Sequence, residues 1–567
     1  MRRSAPFVAL AFAFLAGCSS ASDAAEPGGG ADPDAGAASD GADTSDGADA
    51  SDDAPVVDPY AAQRAACAFA AGSRVEETLG ISAAARAALP IKNVVVLMKE
   101  NRSFDHVLGR LHDRGQPGTE AIPSDFTNLG VQSEVVKPSH ARTTCFPYDL
   151  GHQWPELHLM VNHGKMDGFV TMGAAATATD GHLALTYYDD TDLPFYYWLA
   201  SAYALNDRHF PSVLSGTYPN RNFLMLGTAD GVTSTGAGFP DPATPTIFDE
   251  LDQAGVTWGV YSDGSLLSGS LDWTLSHVGA HRFADFVQGI DDGSLPQVAF
   301  VDSLDNVEDE HPTANMQVGE AWTRNVYEHA THSPLWPGLA MFWTYDEGGG
   351  YFDHVPPPEN ACIARPGNAK DVNFHELGVR VPFVAISPWA RPHAVSHEVQ
   401  DHTAITRFLE AVFDLPALTA RDANMGAALD LFDFSGTAPM LTPPAAPAAG
   451  TGGCTTGTTL TADKQFYASG EALHLTFTSG PGIDPYDRVA LFTHPPSGAT
   501  KPGPGALVWA YIGGGHTPGA SPATGTVTLD ASVVGKGPWP LAAGGYVAYY
   551  LASGGYASLA SAEIVVQ

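Results

Sequence analysis

Two stretches end an apolar run in side chains suited to chemistry. KNVVVLMKENRSFDHVLG, Lys92 to Gly109, passes from β-forming residues straight to Glu100 and Asn101. LAMFWTYDEGGGYFDHVPPP does the same with Asp346 and Glu347, followed by three glycines that let the backbone approach something closely. Adjacent carboxylates repel near neutral pH unless a proton or a cation lies between them. With Glu100 and the carbonyl of Asn101 they form a set of oxygen ligands, which favours Mg²⁺, Ca²⁺ or Mn²⁺ over Zn²⁺. Each pair alone reads equally well as a solvated loop or a helix cap. Their recurrence at two strand exits points to a site.

The elements behind them belong to one large unit between about Ile91 and Phe434. KNVVVLM, VTWGVYS, PQVAFV, LAMFWTYDE and VPFVAIS are short apolar, β-branched or aromatic runs, separated by helical stretches such as PFYYWLASAYALND and HTAITRFLEAVFDL. Continuous apolar strands alternating with helices imply an α/β fold whose mainly parallel sheet is covered on both faces. Ligands bind beyond the carboxyl ends of such strands. Glu100 and Asp346 sit at those ends.

At 567 residues the chain exceeds one ordinary core. Arg2 and Arg3 precede an apolar run from Ala5 to Leu15, too short to span a bilayer, which reads as a secretory signal. Leu15-Ala16-Gly17-Cys18 looks like a bacterial lipobox with Cys18 as the lipidation site; the alternative is an ordinary signal peptide with an incidental cysteine. Residues 19–60 are rich in Ala, Gly, Ser, Asp and Pro, carry eleven acidic positions from Asp23 to Asp58 and lack Lys or Arg. They read as a disordered acidic tether. An exported envelope protein follows, held by its lipid and not by a spanning helix. The domains are therefore 1–18 signal, 19–60 tether, 61–440 catalytic domain, 441–453 Pro/Ala/Gly linker and 454–567 a small domain. LHLTFTSG, ALVWAYIGG, GTVTLDAS and GYVAYYLASGG alternate between turns and predict an Ig-like β-sandwich for that last part.

The formal net charge of −36 excludes a phosphate-neutralising nucleic-acid surface. An anionic substrate then needs positive charge supplied locally, and bound metal is one source. Cys67, Cys145, Cys362 and Cys454 allow two disulfides in an oxidising compartment. Cys145 with Cys362 is the preferred pairing, leaving Cys67 for Cys454.

ENRSFDH, GKMDGF, SGTYPNR, DEHPT, TYDEGGGYFDHVPPP and RVPFVAISPWAR, in that order over most of Ile91 to Pro416, resemble the phosphoesterase family that includes bacterial non-haemolytic phospholipases C and acid phosphatases of alkaline-phosphatase-like fold. The resemblance implies metal-assisted phosphoryl transfer through a hydroxyl nucleophile. Of Ser212, Ser215 and Thr217, the family pattern selects Thr217, two residues before Pro219-Asn220. Should Thr217 open a helix, its backbone N–H groups also favour an anion. The same resemblance assigns His311 and His354 to catalysis and His152 and Asn220 to the phosphate. His106, His402 and Lys165 are weaker candidates. The substrate is a phosphate monoester or a diester such as a phospholipid. A surface-anchored adhesion protein with a lapsed catalytic domain is the alternative, and the intact Glu100, Asn101, Thr217, Asp346 and Glu347 count against it.

Overall fold

The computed structural model describes residues 58–146, 148–177, 181–264, 281–451, 458–480, 483–493, 505–552 and 558–567. Cys18, Cys454 and all of the tether before Asp58 lie outside the described residues. Asp58–Gln567 forms one compact unit, and no helix among the described residues is long and apolar enough to cross a membrane.

Its centre is a seven-stranded sheet. The strands are β1 (Asn93–Lys99), β2 (Ala204–Asn206), β3 (Trp258–Tyr261), β4 (Val298–Val301), β5 (Leu339–Tyr345), β6 (Phe383–Ile386) and β7 (Val395–Ser396). Their order is β7-β2-β6-β5-β1-β4-β3, with β6 antiparallel to both its neighbours and every other pairing parallel. Every residue of β1 and β5 is buried, as expected of strands covered on both faces. Alternation along β5 shows the two covers. Trp343 packs against Tyr196 of the Pro194–Ala202 helix, ring centroids 4.4 Å apart. Its neighbour Phe342 meets Phe408 of the Thr403–Phe413 helix at 4.9 Å on the other side.

The helix expected over PFYYWLASAYALND stops at Ala202, and Ala204–Asn206 becomes strand β2. Pairing with β6 and β7 outweighs the local preference of a short Ala-Leu-Asn segment. The Thr403–Phe413 helix and all five strand runs fall where the apolar patterns put them.

The disulfide expectation is corrected. Cys67 is bonded to Cys362, Cα atoms 5.5 Å apart, and Cys145 is itself disulfide-bonded. The reason is the path of the amino-terminal segment, which returns to the catalytic domain: Asn424 donates to the Phe69 carbonyl at 2.7 Å and accepts from the Phe69 N–H at 3.0 Å. Cys67 is thereby delivered to Cys362.

Residues 441–451 lie along the Met316–His332 helix, where Tyr327 donates to the Pro444 carbonyl, Arg324 to that of Pro447, and the Gly450 N–H to Glu320. Beyond them come two sheets, of three and five strands. Leu473, Leu475 and Phe477 of one face Val489, Leu491 and Tyr550 of the other in a shared core. The Leu473–Thr478 strand alternates buried and exposed residues as its sequence suggests. A buried ion pair between Arg142 and Asp487 ties this all-β part to the catalytic unit, and the Tyr550 hydroxyl also donates to Asp487.

Candidate active site

The register of β1 on β5 brings the two acidic exits together. Lys99 pairs with Tyr345 in parallel strands, so Glu100 and Asp346 leave the sheet side by side. The Asp346 N–H donates to the Lys99 carbonyl, and the Asn101 N–H donates to Asp346 Oδ1, both at 3.0 Å. Asn101 holds this turn at φ +61°, a left-handed conformation that asparagine tolerates. The glycines after Glu347 do bring the backbone close to something, namely the site's own main chain. Gly349 has φ +64°, and a Cβ there would lie 2.0 Å from the Asn101 carbonyl oxygen; one on Gly350 would lie 2.7 Å from that of Gly151. Any side chain at these positions would push apart the strand exits and the loop carrying His152.

Thr217 is the first residue of a ten-residue helix, Thr217–Leu226, and is 5% exposed. Its Oγ1 lies 3.3 Å from Glu100 Oε2 and 3.4 Å from Asn101 Oδ1. His152 donates Nδ1–H to the Leu150 carbonyl at 2.7 Å, which leaves Nε2 to accept from Asn101 Nδ2 at 3.2 Å. His311 stands edge-on to His152, ring centroids 5.9 Å apart, with its own Nδ1 on the Pro312 carbonyl. Glu100, Asn101, Asp346, Glu347, Thr217, His152 and His311 thus form one contiguous group.

Two expected residues do other work. Asn220 donates both amide hydrogens to the carbonyls of Ser215 and Gly216, at 2.8 and 3.0 Å, and accepts from the Val213 N–H at 3.0 Å. With no donor left for a phosphate oxygen, it braces the loop that presents Thr217. His354 joins a separate cluster. Its Nδ1 is 2.6 Å from Asp105, whose other oxygen is 3.1 Å from Arg380, and Arg380 is also 3.1 Å from Asp353. Burial opposes the His354 imidazolium, but the Asp105 carboxylate outweighs it and holds the pKa above the ordinary histidine value.

Of the weaker candidates, Lys165 is exposed and Asp167 accepts from Asn162. His106 is buried, with Nδ1 on the Thr186 carbonyl and Nε2 beside Arg102. His402 supports the site from behind, its Nε2 2.8 Å from the Asp346 carbonyl oxygen.

Arg221, one helical turn after Thr217, was absent from the sequence expectations and is central to the electrostatics. Fully buried, it lies 2.7 Å from Glu100 Oε1, 3.4 Å from Asp346 Oδ2 and 3.3 Å from Asp302 Oδ1. Asp302 follows β4 as Glu100 follows β1. The apolar run PQVAFV ending in Asp carries the same signature as the other two exits. Burial opposes the guanidinium charge, but Glu100, Asp346 and Asp302 together raise its pKa.

The open side of the cluster remains short of positive charge. Burial and then the Asp346 charge push the Glu100 carboxyl well above its ordinary range, despite Arg221. Burial and Asp346 do the same to Glu347, whose Oε1 is buried without a hydrogen-bond partner among the described residues. A cation among Glu100, Asn101, Asp346 and Glu347 would relieve the repulsion and satisfy that oxygen, so the chemistry of this oxygen donor set fits a divalent ion. Among the described residues, three groups, none of them containing Glu100, Asp346 or Glu347, bring carboxylate and imidazole ligand atoms within 4.8 Å of one another: Asp149, His152 and His311; Asp105, Asp353 and His354; and His140, Asp189 and Asp192. The first borders the cluster, since His152 Nε2 is 3.9 Å from Glu347 Oε1. In the second, Arg380 already balances both carboxylates.

The model of the Phosphoesterase family matches residues 91–416. Among curated relatives, Non-specific phospholipase C5 of Arabidopsis thaliana is 30% identical over 59% of this chain and 73% of its own. Non-hemolytic phospholipase C of Burkholderia pseudomallei is 28% identical over 64% and 62%, and Phospholipase C B of Mycobacterium tuberculosis 29% identical over 64% and 82%. A solved phosphonate monoester hydrolase from Silicibacter pomeroyi superposes with a TM-score of 0.28 at 11% identity, over 43% of this chain and 72% of that one, too slight a likeness to argue from.

Proposed function

We propose, from the premise that the chain belongs to the Phosphoesterase family and is a phosphoric ester hydrolase, that it cleaves phospholipid phosphodiesters in the manner of a phospholipase C, with Thr217 as the nucleophile. The observation carrying this reading is the placement of the Thr217 hydroxyl at a helix N-terminus, 3.3 Å from Glu100 and 3.4 Å from Asn101. The relatives named above supply the substrate class. In the first step Thr217 Oγ1 forms a bond to phosphorus, the bond from phosphorus to the diacylglycerol oxygen breaks, and the headgroup phosphate remains on threonine. In the second, water displaces the threonine oxygen and releases the phosphorylated headgroup. Division into two displacements lets one oriented hydroxyl and one set of fixed charges serve both.

Glu100, Asn101, Asp346 and Glu347 would hold a divalent cation, which when bound neutralises charge on the attacking and phosphoryl oxygens. Backbone N–H groups at the start of the Thr217 helix favour the same anion. His152 and His311 each donate Nδ1–H to a carbonyl, which leaves a lone pair on Nε2. On this reading His311 Nε2 takes the Thr217 proton as Oγ1 bonds to phosphorus and passes it to the departing diacylglycerol oxygen, then relays a proton from water to the threonine oxygen in the second step. His354, whose imidazolium the Asp105 carboxylate favours against burial, belongs to the separate cluster with Asp105, Arg380 and Asp353 and takes no part in the displacement at Thr217 on this reading. The catalytic domain belongs to the alkaline-phosphatase-like class on this reading, and the carboxyl-terminal sheets form an Ig-like sandwich.

Parallel assays of the purified protein on p-nitrophenylphosphorylcholine and p-nitrophenyl phosphate, with Mg²⁺, Ca²⁺, Mn²⁺ and Zn²⁺ in turn, test the reading. Turnover of the diester is expected. Turnover of the monoester alone would make the protein a phosphatase, and turnover of neither would favour a lapsed, adhesive domain. Export and anchoring through Cys18 rest on the Leu15-Ala16-Gly17-Cys18 box. Cys18→Ser is expected to leave the membrane fraction while retaining full specific activity on the soluble diester; unchanged membrane association would refute the anchor.

A further inference from the structure

Near the His152 loop the surface changes character. Asn128–Leu129 and Val135–Val136 pair as a small antiparallel hairpin, with Leu129 opposite Val135. Directly opposed residues share a face, and here that face is solvent: Leu129 is 55% exposed, Val135 65% and Val131, in the turn, 55%. The base of the hairpin is fixed. Asn128 donates to the Met166 carbonyl and accepts from the Phe169 N–H, each at 2.9 Å, and Val136 is buried. Glu134, the tip's carboxylate, folds back onto the Gln132 N–H at 2.8 Å and His182 at 3.2 Å, which turns its charge away from the aliphatic face.

The turn that anchors Asn128 also packs on the Trp154–Val161 helix, where the Gly168 N–H donates to the Met160 carbonyl. That helix carries exposed Leu159 and begins two residues after His152. Exposed Lys137 follows the second strand of the hairpin, and exposed Lys165 stands one residue before Met166, which receives the Asn128 amide, with Asp167 exposed in the same turn. In a chain of 27 basic and 63 acidic side chains, branched aliphatics on a hairpin anchored at its base and followed by a lysine stand out. Single exposed apolar residues are ordinary, but an anchored cluster with its carboxylate turned aside is a different feature.

We propose that the Leu129–Val135 hairpin, with Leu159, docks the enzyme on a phospholipid surface. The aliphatic side chains enter the headgroup boundary, while Lys137 and Lys165 reach lipid phosphates. The strip meets the Trp154–Val161 helix near its carboxyl end, and the His152 loop precedes its amino end, eight residues or about 12 Å away, so docking holds the lipid surface about one short helix from the His152 loop. This deepens the phospholipase reading and rests on it for the choice of lipid as occupant.

The test uses the full chain carrying Cys18→Ser, so that no acyl chain contributes, and flotation with phosphatidylcholine vesicles. Leu129→Ser, Val131→Ser and Val135→Ser combined are expected to weaken vesicle binding about tenfold or more and to slow vesicle hydrolysis in parallel, with turnover of soluble p-nitrophenylphosphorylcholine unchanged. A Val131→Trp variant is expected to bind vesicles more tightly. Unchanged flotation of the triple variant would overturn the inference. So would a wild-type oligomer, seen by light scattering, that the triple variant converts to monomer, since the strip would then join two copies of this chain. Should the parent hydrolyse no soluble ester yet float with vesicles in a hairpin-dependent way, the docking surface stands and the catalytic reading falls.

Discussion

Thr217→Ala lowers the rate of diester hydrolysis on the order of 10³-fold or more, with the fold and the metal content of the protein retained. The hydroxyl lost is the group that bonds to phosphorus in the proposed first step. Its neighbours Glu100 and Asn101 keep their remaining contacts to Arg221, Asp346 and His152. Loss of the hydroxyl and methyl from the first turn of a helix leaves Asn220 free to brace the preceding loop through Ser215 and Gly216. Thr217→Ser keeps the oxygen, loses one methyl and retains measurable activity. Stopped-flow release of p-nitrophenolate, together with metal analysis of each variant, reads both effects. Full activity in Thr217→Ala would remove this side chain from the mechanism and point to direct attack by water.

Arg221→Met destabilises the metal-free protein by about 3–5 kcal/mol. Glu100, Asp346 and Asp302 all lie within 3.4 Å of this guanidinium in a site that water hardly reaches. Methionine fills much of the volume and leaves those carboxylates without it, so the loss is electrostatic more than steric. Arg221→Lys restores charge without the planar fork and recovers part of the loss. Urea denaturation in the presence of a chelator measures the difference; if the methionine variant does not accumulate folded, the lysine variant supplies the comparison. Wild-type stability in both variants would contradict the assignment of Arg221 as the fixed counter-charge.

The strand exits were legible because β1, β4 and β5, buried on both faces, read as unbroken apolar runs that end at the first polar residue. The adjacency of Glu100 and Asp346 was not, since it depends on the Lys99–Tyr345 register, which no local pattern encodes. Asp302 carried the same exit signature without a second polar residue to draw notice. Arg221 read as part of the Pro-Asn-Arg motif; its bond to Glu100 spans 121 residues of sequence. Asn220 shows a limit of another kind: a motif residue expected at the phosphate has both amide hydrogens on the carbonyls of Ser215 and Gly216, contacts that no sequence pattern displays. The Cys67–Cys362 bond, spanning 295 residues, follows from the return path of the amino-terminal segment and not from cysteine spacing.

The central claim is a covalent intermediate on Thr217, and the measurement that reaches it is an acid quench during steady-state turnover of a choline diester labelled in its phosphate. Proteolysis and mass analysis are predicted to find the phosphorylated headgroup on the peptide containing Thr217, absent from Thr217→Ala and diminishing when unlabelled substrate is chased in. Label on Ser215 would move the nucleophile two residues along the same loop. Rapid turnover with no label on any peptide, under quench conditions that preserve phosphothreonine esters, would contradict the account.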